Sequence, residues 1–174
     1  AVGRGAVRGG RQAVRWRAAG GGRSGAVGLQ TEEMAGVGGG PGGHRQAIPI
    51  LTEYINARDA EENLCVVSPD AGRIKVAEKW AARLGGTPLA FIHKTRDVHQ
   101  ANKSVANRVV GEVKDRLCIL VDDMIDSGGT ICQAADALMN EGASGVVIVA
   151  THAILSGSAV ERLRDSVAQE VVVT

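Results

Sequence analysis

From residue 47 onward, short apolar runs alternate with stripes of apolar residues at helical spacing. Residues 64–67, 88–92, 118–121, 146–150 and 171–173 are brief, nearly unbroken apolar runs, as in strands covered on both faces. Between them, Ile48, Leu51, Tyr54 and Ile55 share one helical face, as do Ile74, Ala77, Ala81 and Leu84, a stripe that stops at Gly85-Gly86. A third stripe, Ile131, Ala134, Ala135 and Leu138, closes at Gly142, and a short amphipathic helix is expected around residues 160–163. Residues 109–113 read as an edge strand or hairpin. Strands alternating with helices predict an α/β domain with a mainly parallel sheet and helices on both faces. Ligands of such sheets gather outside the carboxyl ends of the strands. Asp70, Lys94, Asp122 and His152 each fall just past an expected strand end, so one rim should collect them.

Residues 1–45 have a different texture. Fifteen of the chain's 24 glycines fall within residues 1–43, a density that opposes both helix and strand. The expected organisation is therefore an irregular Gly/Arg-rich leader over residues 1–45 and one α/β domain over 46–174. The leader carries Arg4, Arg8, Arg11, Arg15, Arg17 and Arg23 and no acid through residue 30, so a chain of net charge +1 has a body of charge −5. The body is acidic and the whole chain has only four aromatics (Trp16, Tyr54, Trp80, Phe91), which offers no platform for nucleic acid. Arg8-Gly9-Gly10-Arg11 is read as low-complexity sequence rather than an RNA-binding tail. No apolar run approaches the ~20 residues a membrane span needs. Cys65, Cys118 and Cys132 lack metal-type spacing and read as buried free thiols, which fits a reducing cytoplasm.

The chemistry concentrates at residues 118–131. The apolar run Cys118-Ile119-Leu120-Val121 is expected to end at Asp122 and Asp123, and after Asp126 come Ser127, Gly128, Gly129 and Thr130, leading into the helix of Ile131. A helix N-terminus presents unpaired N–H groups and partial positive charge, glycines let backbone approach an anion, and hydroxyls add donors. That combination suits a phosphate. Carboxylates sit badly against a phosphate, so Asp122 and Asp123 point to ribose hydroxyls or a divalent metal beside it, and a sugar phosphate satisfies both halves. Lys94 and Arg96, two residues apart after a strand, can neutralise charge on a transferred phosphoryl or pyrophosphoryl group, with polar residues 95–104 as a flap over the site. Taken alone, Asp70 is most simply a turn former. His44, His93, His99 and His152 form no ligand spacing, and Glu61-Glu62 reads as a solvated helix end.

Val-Asp-Asp-Met-Ile-Asp-Ser-Gly-Gly-Thr resembles the phosphoribosyl-pyrophosphate (PRPP) loop of the type I phosphoribosyltransferase fold, and its wording resembles the ribose-phosphate pyrophosphokinase (PRPP synthetase) family in particular. His93-Lys94-Thr95-Arg96 is similar to that family's flexible catalytic loop, and Ser68-Pro69-Asp70-Ala71-Gly72-Arg73 to its magnesium-holding segment. The resemblance implies a phosphoribosyltransferase-like fold with Lys94 and Arg96 as catalytic residues and Asp70 holding Mg2+. It assigns ribose 5-phosphate to Arg96, Asp122, Asp123, Asp126, Ser127, Gly128, Gly129 and Thr130. The implied reaction is ATP plus ribose 5-phosphate giving PRPP and AMP, in a cytoplasmic enzyme that forms homo-oligomers in its full-length family.

The resemblance is continuous over residues 47–174 and ragged before that. Where the family has a metal-binding Asp-Leu-His segment, this chain has Gly28-Leu29-Gln30, which removes the Asp and the imidazole. The family's N-terminal half, with most of its ATP-binding residues, has no counterpart, and the family continues past Thr174, so an incomplete chain is expected. Two alternatives follow: a phosphoribosyltransferase that consumes PRPP, or a non-catalytic sugar-phosphate-binding fragment or regulatory subunit.

Overall fold

The computed structural model describes residues 15–18, 47–59, 62–95 and 106–173. Among the described residues seven strands form one sheet, in chain order β1 (Arg15–Ala18), β2 (Leu64–Ser68), β3 (Leu89–Thr95), β4 (Ala106–Val110), β5 (Leu117–Ile125), β6 (Gly145–Ala153) and β7 (Glu170–Val173). The helices are α1 (Ala47–Asp59), α2 (Ile74–Arg83) behind a 3-10 turn (Ala71–Arg73), α3 (Gly129–Asn140) and α4 (Ala159–Arg164). The spatial order is β1-β7-β6-β5-β2-β3-β4, with every pairing parallel except β3 with β4. Among the described residues no helix is long and apolar enough to cross a membrane.

This order places a topological switch between β2 and β5. From β2 the chain crosses by α2 to β3 on one side; from β5 it crosses by α3 to β6 on the other. The two strands are in register from Leu64↔Leu117 to Val67↔Leu120, so the loops that follow them leave the same rim in divergent directions and open a crevice there. Alternation along the strands supplies the two cores. Cys65, Val67, Cys118, Leu120, Val146 and Ile148 face α3, meeting Ile131, Ala134, Ala135 and Leu138. Val66, Ile119, Val121, Val147 and Val149 meet Leu51 and Ile55 of α1 and Ala77 and Trp80 of α2. Cys65 and Cys118 are directly paired across the β2–β5 ladder, and both are buried and free, as expected of the three cysteines.

The parallel strands run further toward the rim than their apolar runs suggest. Strand β5 does not stop at Val121 but continues through Asp122 and Asp123 to Ile125, β3 extends through Lys94, and β6 through His152. Neighbouring backbones explain the overrun: β5 and β6 stay in register to Ile125↔Ala153, and β4 pairs with β3 at Lys94↔Asn107 and Thr95↔Ala106. Backbone pairing tolerates polar side chains at a rim open to water. The edge hairpin expected at residues 109–113 is β4, displaced toward the N-terminus. One strand falls within the leader, where β1 pairs in parallel with β7 from Arg15↔Glu170 to Ala18↔Val173. It lies in the glycine-free run of residues 11–19, which spares it the local penalty of its surroundings. The rest of residues 1–45, with Gly28, Gln30 and His44, lies outside the described residues, as do Glu61, Arg96 and His99.

Leu138 on α3 is completely buried against the sheet. Leu138→Ala is expected to lower unfolding free energy by about 2–5 kcal/mol in a denaturant titration; a loss within experimental error would mean that α3 does not seal this face.

Candidate active site

The first wall of the crevice is the loop after β2. Ser68, wholly buried, donates from Oγ to the Asp70 carbonyl at 2.6 Å, and the Arg73 N–H donates to Asp70 Oδ1 at 3.1 Å. Asp70 thus caps the 3-10 turn as an Asx-type turn former, with one carboxylate oxygen committed to the backbone. The turn aims Arg73 back across the crevice. Its guanidinium lies with Nε 3.5 Å from Asp122 Oδ1 and with Nη1 paired to Asp123 Oδ2. Sequence reasoning missed this role for Arg73, whose signal is its position at the end of Ser-Pro-Asp-Ala-Gly-Arg on the opposite wall.

The two acids are not equivalent. By alternation Asp122 follows Cys118 and Leu120 on the α3 side, and Asp123 follows Ile119 and Val121 on the α2 side, nearer Arg73. The Asp123 N–H donates to Asp122 Oδ1 at 2.8 Å. Burial, then the hydrogen bond with Asp123, lifts the Asp122 carboxyl to about 6, against the opposing pull of Arg73. The hydrogen bond from Arg73 holds Asp123 below the usual carboxylate range and raises the guanidinium in return. Asp123 Oδ1 is buried without a hydrogen-bond partner among the described residues.

Beyond Ile125 the second wall is the expected loop. Asp126, Ser127 and Thr130 are exposed, Gly128 is buried, and α3 starts at Gly129. The first helical hydrogen bond into this turn is from the Cys132 N–H to the Gly128 carbonyl at 3.1 Å. Among the described residues, the backbone N–H groups of residues 127–131 and the hydroxyls of Ser127 and Thr130 have no acceptor, the free donor row that an anion requires. Of Gly128 and Gly129, Gly128 alone takes the left-handed region and, at φ +73°, turns the chain into the helix. Gly129 is helical, and a Cβ there would lie 3.8 Å from Arg162 Nη1 and 3.9 Å from Ser127 Oγ. Its lack of a side chain keeps space open rather than relieving strain. Arg162, also missed from sequence, donates from Nη1 to the Ser127 carbonyl.

The remaining candidates are less gathered. Lys94 is exposed on β3, opposite Asn107, whose Oδ1 is another buried acceptor without a partner among the described residues. Arg96 and the rest of the expected flap to residue 104 lie outside the described residues. His152 is exposed on β6, opposite Met124. Among the described residues no group of three or more His, Cys, Asp or Glu is arranged to hold a metal.

A family profile described as the phosphoribosyl transferase domain matches residues 43–172. The chain is 52% identical over 160 residues to a ribose-phosphate pyrophosphokinase of Bifidobacterium longum, covering 91% of this chain and 47% of that protein. It is 53% identical over 148 residues to one of Corynebacterium glutamicum, covering 85% and 46%. Among solved structures, phosphoribosylpyrophosphate synthetase from Mycobacterium smegmatis superposes with a TM-score of 0.67 at 54% identity, covering 73% of this chain and 40% of that one. A purine phosphoribosyltransferase from Pyrococcus horikoshii, at 19% identity and a TM-score of 0.51, shares the fold, covering 73% of this chain and 79% of its own. The chain spans just under half the length of the curated relatives it matches.

The raised Asp122 carboxyl has a defined signature in stability. With 3.8 as the ordinary value and about 6 in the folded chain, the folded state binds more protons between those limits. Stability therefore falls as pH rises through that window, and the unfavourable contribution is complete above it. Asp122→Asn removes the contribution, so the variant should gain on the wild type between pH ~4 and ~7.5 by on the order of 2 kcal/mol in chemical denaturation. A difference that stays flat or narrows with pH would rule out a raised Asp122.

Proposed function

We propose that this chain, which belongs to the phosphoribosyl transferase family and within it to the ribose-phosphate pyrophosphokinases, binds ribose 5-phosphate at the β2–β5 crevice and takes part in its pyrophosphorylation by ATP. The supporting observation is the row of free N–H groups over residues 127–131, set at the end of the strand that carries Asp122 and Asp123. The 5-phosphate lies in that row with the Ser127 and Thr130 hydroxyls, and the Gly128 turn and the open side of Gly129 let it approach. Asp126 borders the cradle, while Asp122 and Asp123 accept from the ribose hydroxyls.

In the proposed reaction the anomeric hydroxyl oxygen of ribose 5-phosphate attacks the β-phosphorus of ATP. A new O–P bond forms, the bond from the β-phosphorus to the α,β-bridging oxygen breaks, the hydroxyl proton is released, and PRPP and AMP result. Lys94, carried on the β3–β4 arm, and Arg96 beyond it supply positive charge to the transferred group. Magnesium fits this chain as an ion shared with the nucleotide. Asp70 keeps one oxygen free of the backbone, and Mg2+ is commonly held by one or two carboxylates completed by phosphate oxygens. Bound there, it would offset charge on the phosphates. The three unpaired thiols fit a cytoplasmic setting, and homo-oligomers are proposed for the full-length protein. A phosphoribosyltransferase that consumes PRPP would use the same cradle, but it would release pyrophosphate from PRPP where the pyrophosphokinase releases AMP from ATP.

Ribose 5-phosphate at about a hundredfold above its Kd should raise Tm by several degrees in a thermal melt. Gly129 has a helical backbone and no close neighbour, so Gly129→Val should fold while filling the cradle. The ligand-induced rise should vanish in this variant. No rise in the wild type, or an equal rise in the variant, would refute the assignment.

A further inference from the structure

We infer that Arg162 is a positioning residue for the phosphate cradle, acting through its charge as well as through its hold on the loop. The inference rests on the reading of residues 127–131 as that cradle. Arg162 belongs to α4, a separate element some thirty residues further along the chain, yet its guanidinium donates from Nη1 to the Ser127 carbonyl and from Nη2 to Ser158 Oγ at 3.3 Å.

Two further contacts fix α4 against this turn. A Cβ on Gly128 would meet Leu163 Cγ at 3.5 Å and the Ala159 carbonyl at 3.6 Å, so the turn lies directly on the helix, and Leu163 is completely buried. The Cys132 thiol on α3 donates to the Arg162 carbonyl at 3.7 Å. The guanidinium is thereby held beside Gly129, where a Cβ would lie 3.8 Å from Nη1.

A carbonyl at the mouth of an anion site repels the anion. Arg162 engages that carbonyl and places a cation within the same turn. A guanidinium has five N–H donors in a planar fork, and two nitrogens are occupied here, so it can serve the loop and the ligand's charge together. Because the side chain is exposed, solvent moderates the effect. Both consequences can be separated from a purely structural role.

The test is calorimetric titration of the full chain with ribose 5-phosphate, using Arg162→Gln, which keeps donors without charge, and Arg162→Lys, which keeps charge without the fork. Arg162→Gln should weaken Kd about tenfold at low salt and less than about threefold near 0.5 M salt, while Arg162→Lys stays within about threefold of wild type. The inference is overturned if Arg162→Gln binds as tightly as wild type, if Arg162→Lys loses as much as Arg162→Gln, or if the loss is independent of salt. Failure of the wild type to bind would overturn the cradle itself and this inference with it. Should Arg162→Gln not fold, Ser158→Ala releases the guanidinium's second anchor and should weaken Kd about twofold or more; unchanged binding there overturns the inference.

Discussion

The parallel ladder between β2 and β5 is the constraint on which the site depends. Two parallel strands in register must deliver their following loops to one rim, and because their crossovers run on opposite faces, those loops must separate. A hairpin between the same strands would place the Asp70 turn and the residues 126–130 turn at opposite ends of the sheet. The buried Val, Ile, Leu and Cys residues on both faces of this ladder hold the strands in place without taking part in chemistry.

Electrostatics completes what the ladder begins. Adjacent carboxylates at a partly buried strand end repel one another, and one of them retains its proton more readily than usual. Arg73 limits that cost by engaging both, and so ties the walls of the crevice together through charge instead of through backbone. On the other wall Arg162 does a related service for a carbonyl. The Asp122–Asp123 pair and the Ser127 carbonyl are thus each matched by an arginine from a different segment.

Much of this was legible in the chain. The apolar runs located β2, β5, β6 and β7, the stripes located α1, α2 and α3, and the order of acids, hydroxyl and glycines in residues 122–130 identified the loop. Strand ends were misjudged for one reason: Asp122, Lys94 and His152 look like the end of an apolar run, whereas the backbone there still finds partners on β6, β4 and β5 respectively. Arg73 and Arg162 escaped notice because their partners are distant in sequence, and an isolated arginine on a helix or turn reads as solvated surface. Gly129 was grouped with Gly128, although only the backbone angles distinguish a residue needed for its left-handed turn from one needed for vacant space.

The Cys65–Cys118 pair adds a property that the site itself does not need. The two thiols lie side by side at the centre of the ladder, wholly buried, and the Cys118 proton is held far more tightly than usual by the hydrogen bond shared with Cys65 and by burial. An alkylating reagent can therefore reach them only while the two strands have parted. The chain carries an internal clock for sheet breathing, in which the labelling rate of these sulfurs measures how often the crevice loses its floor.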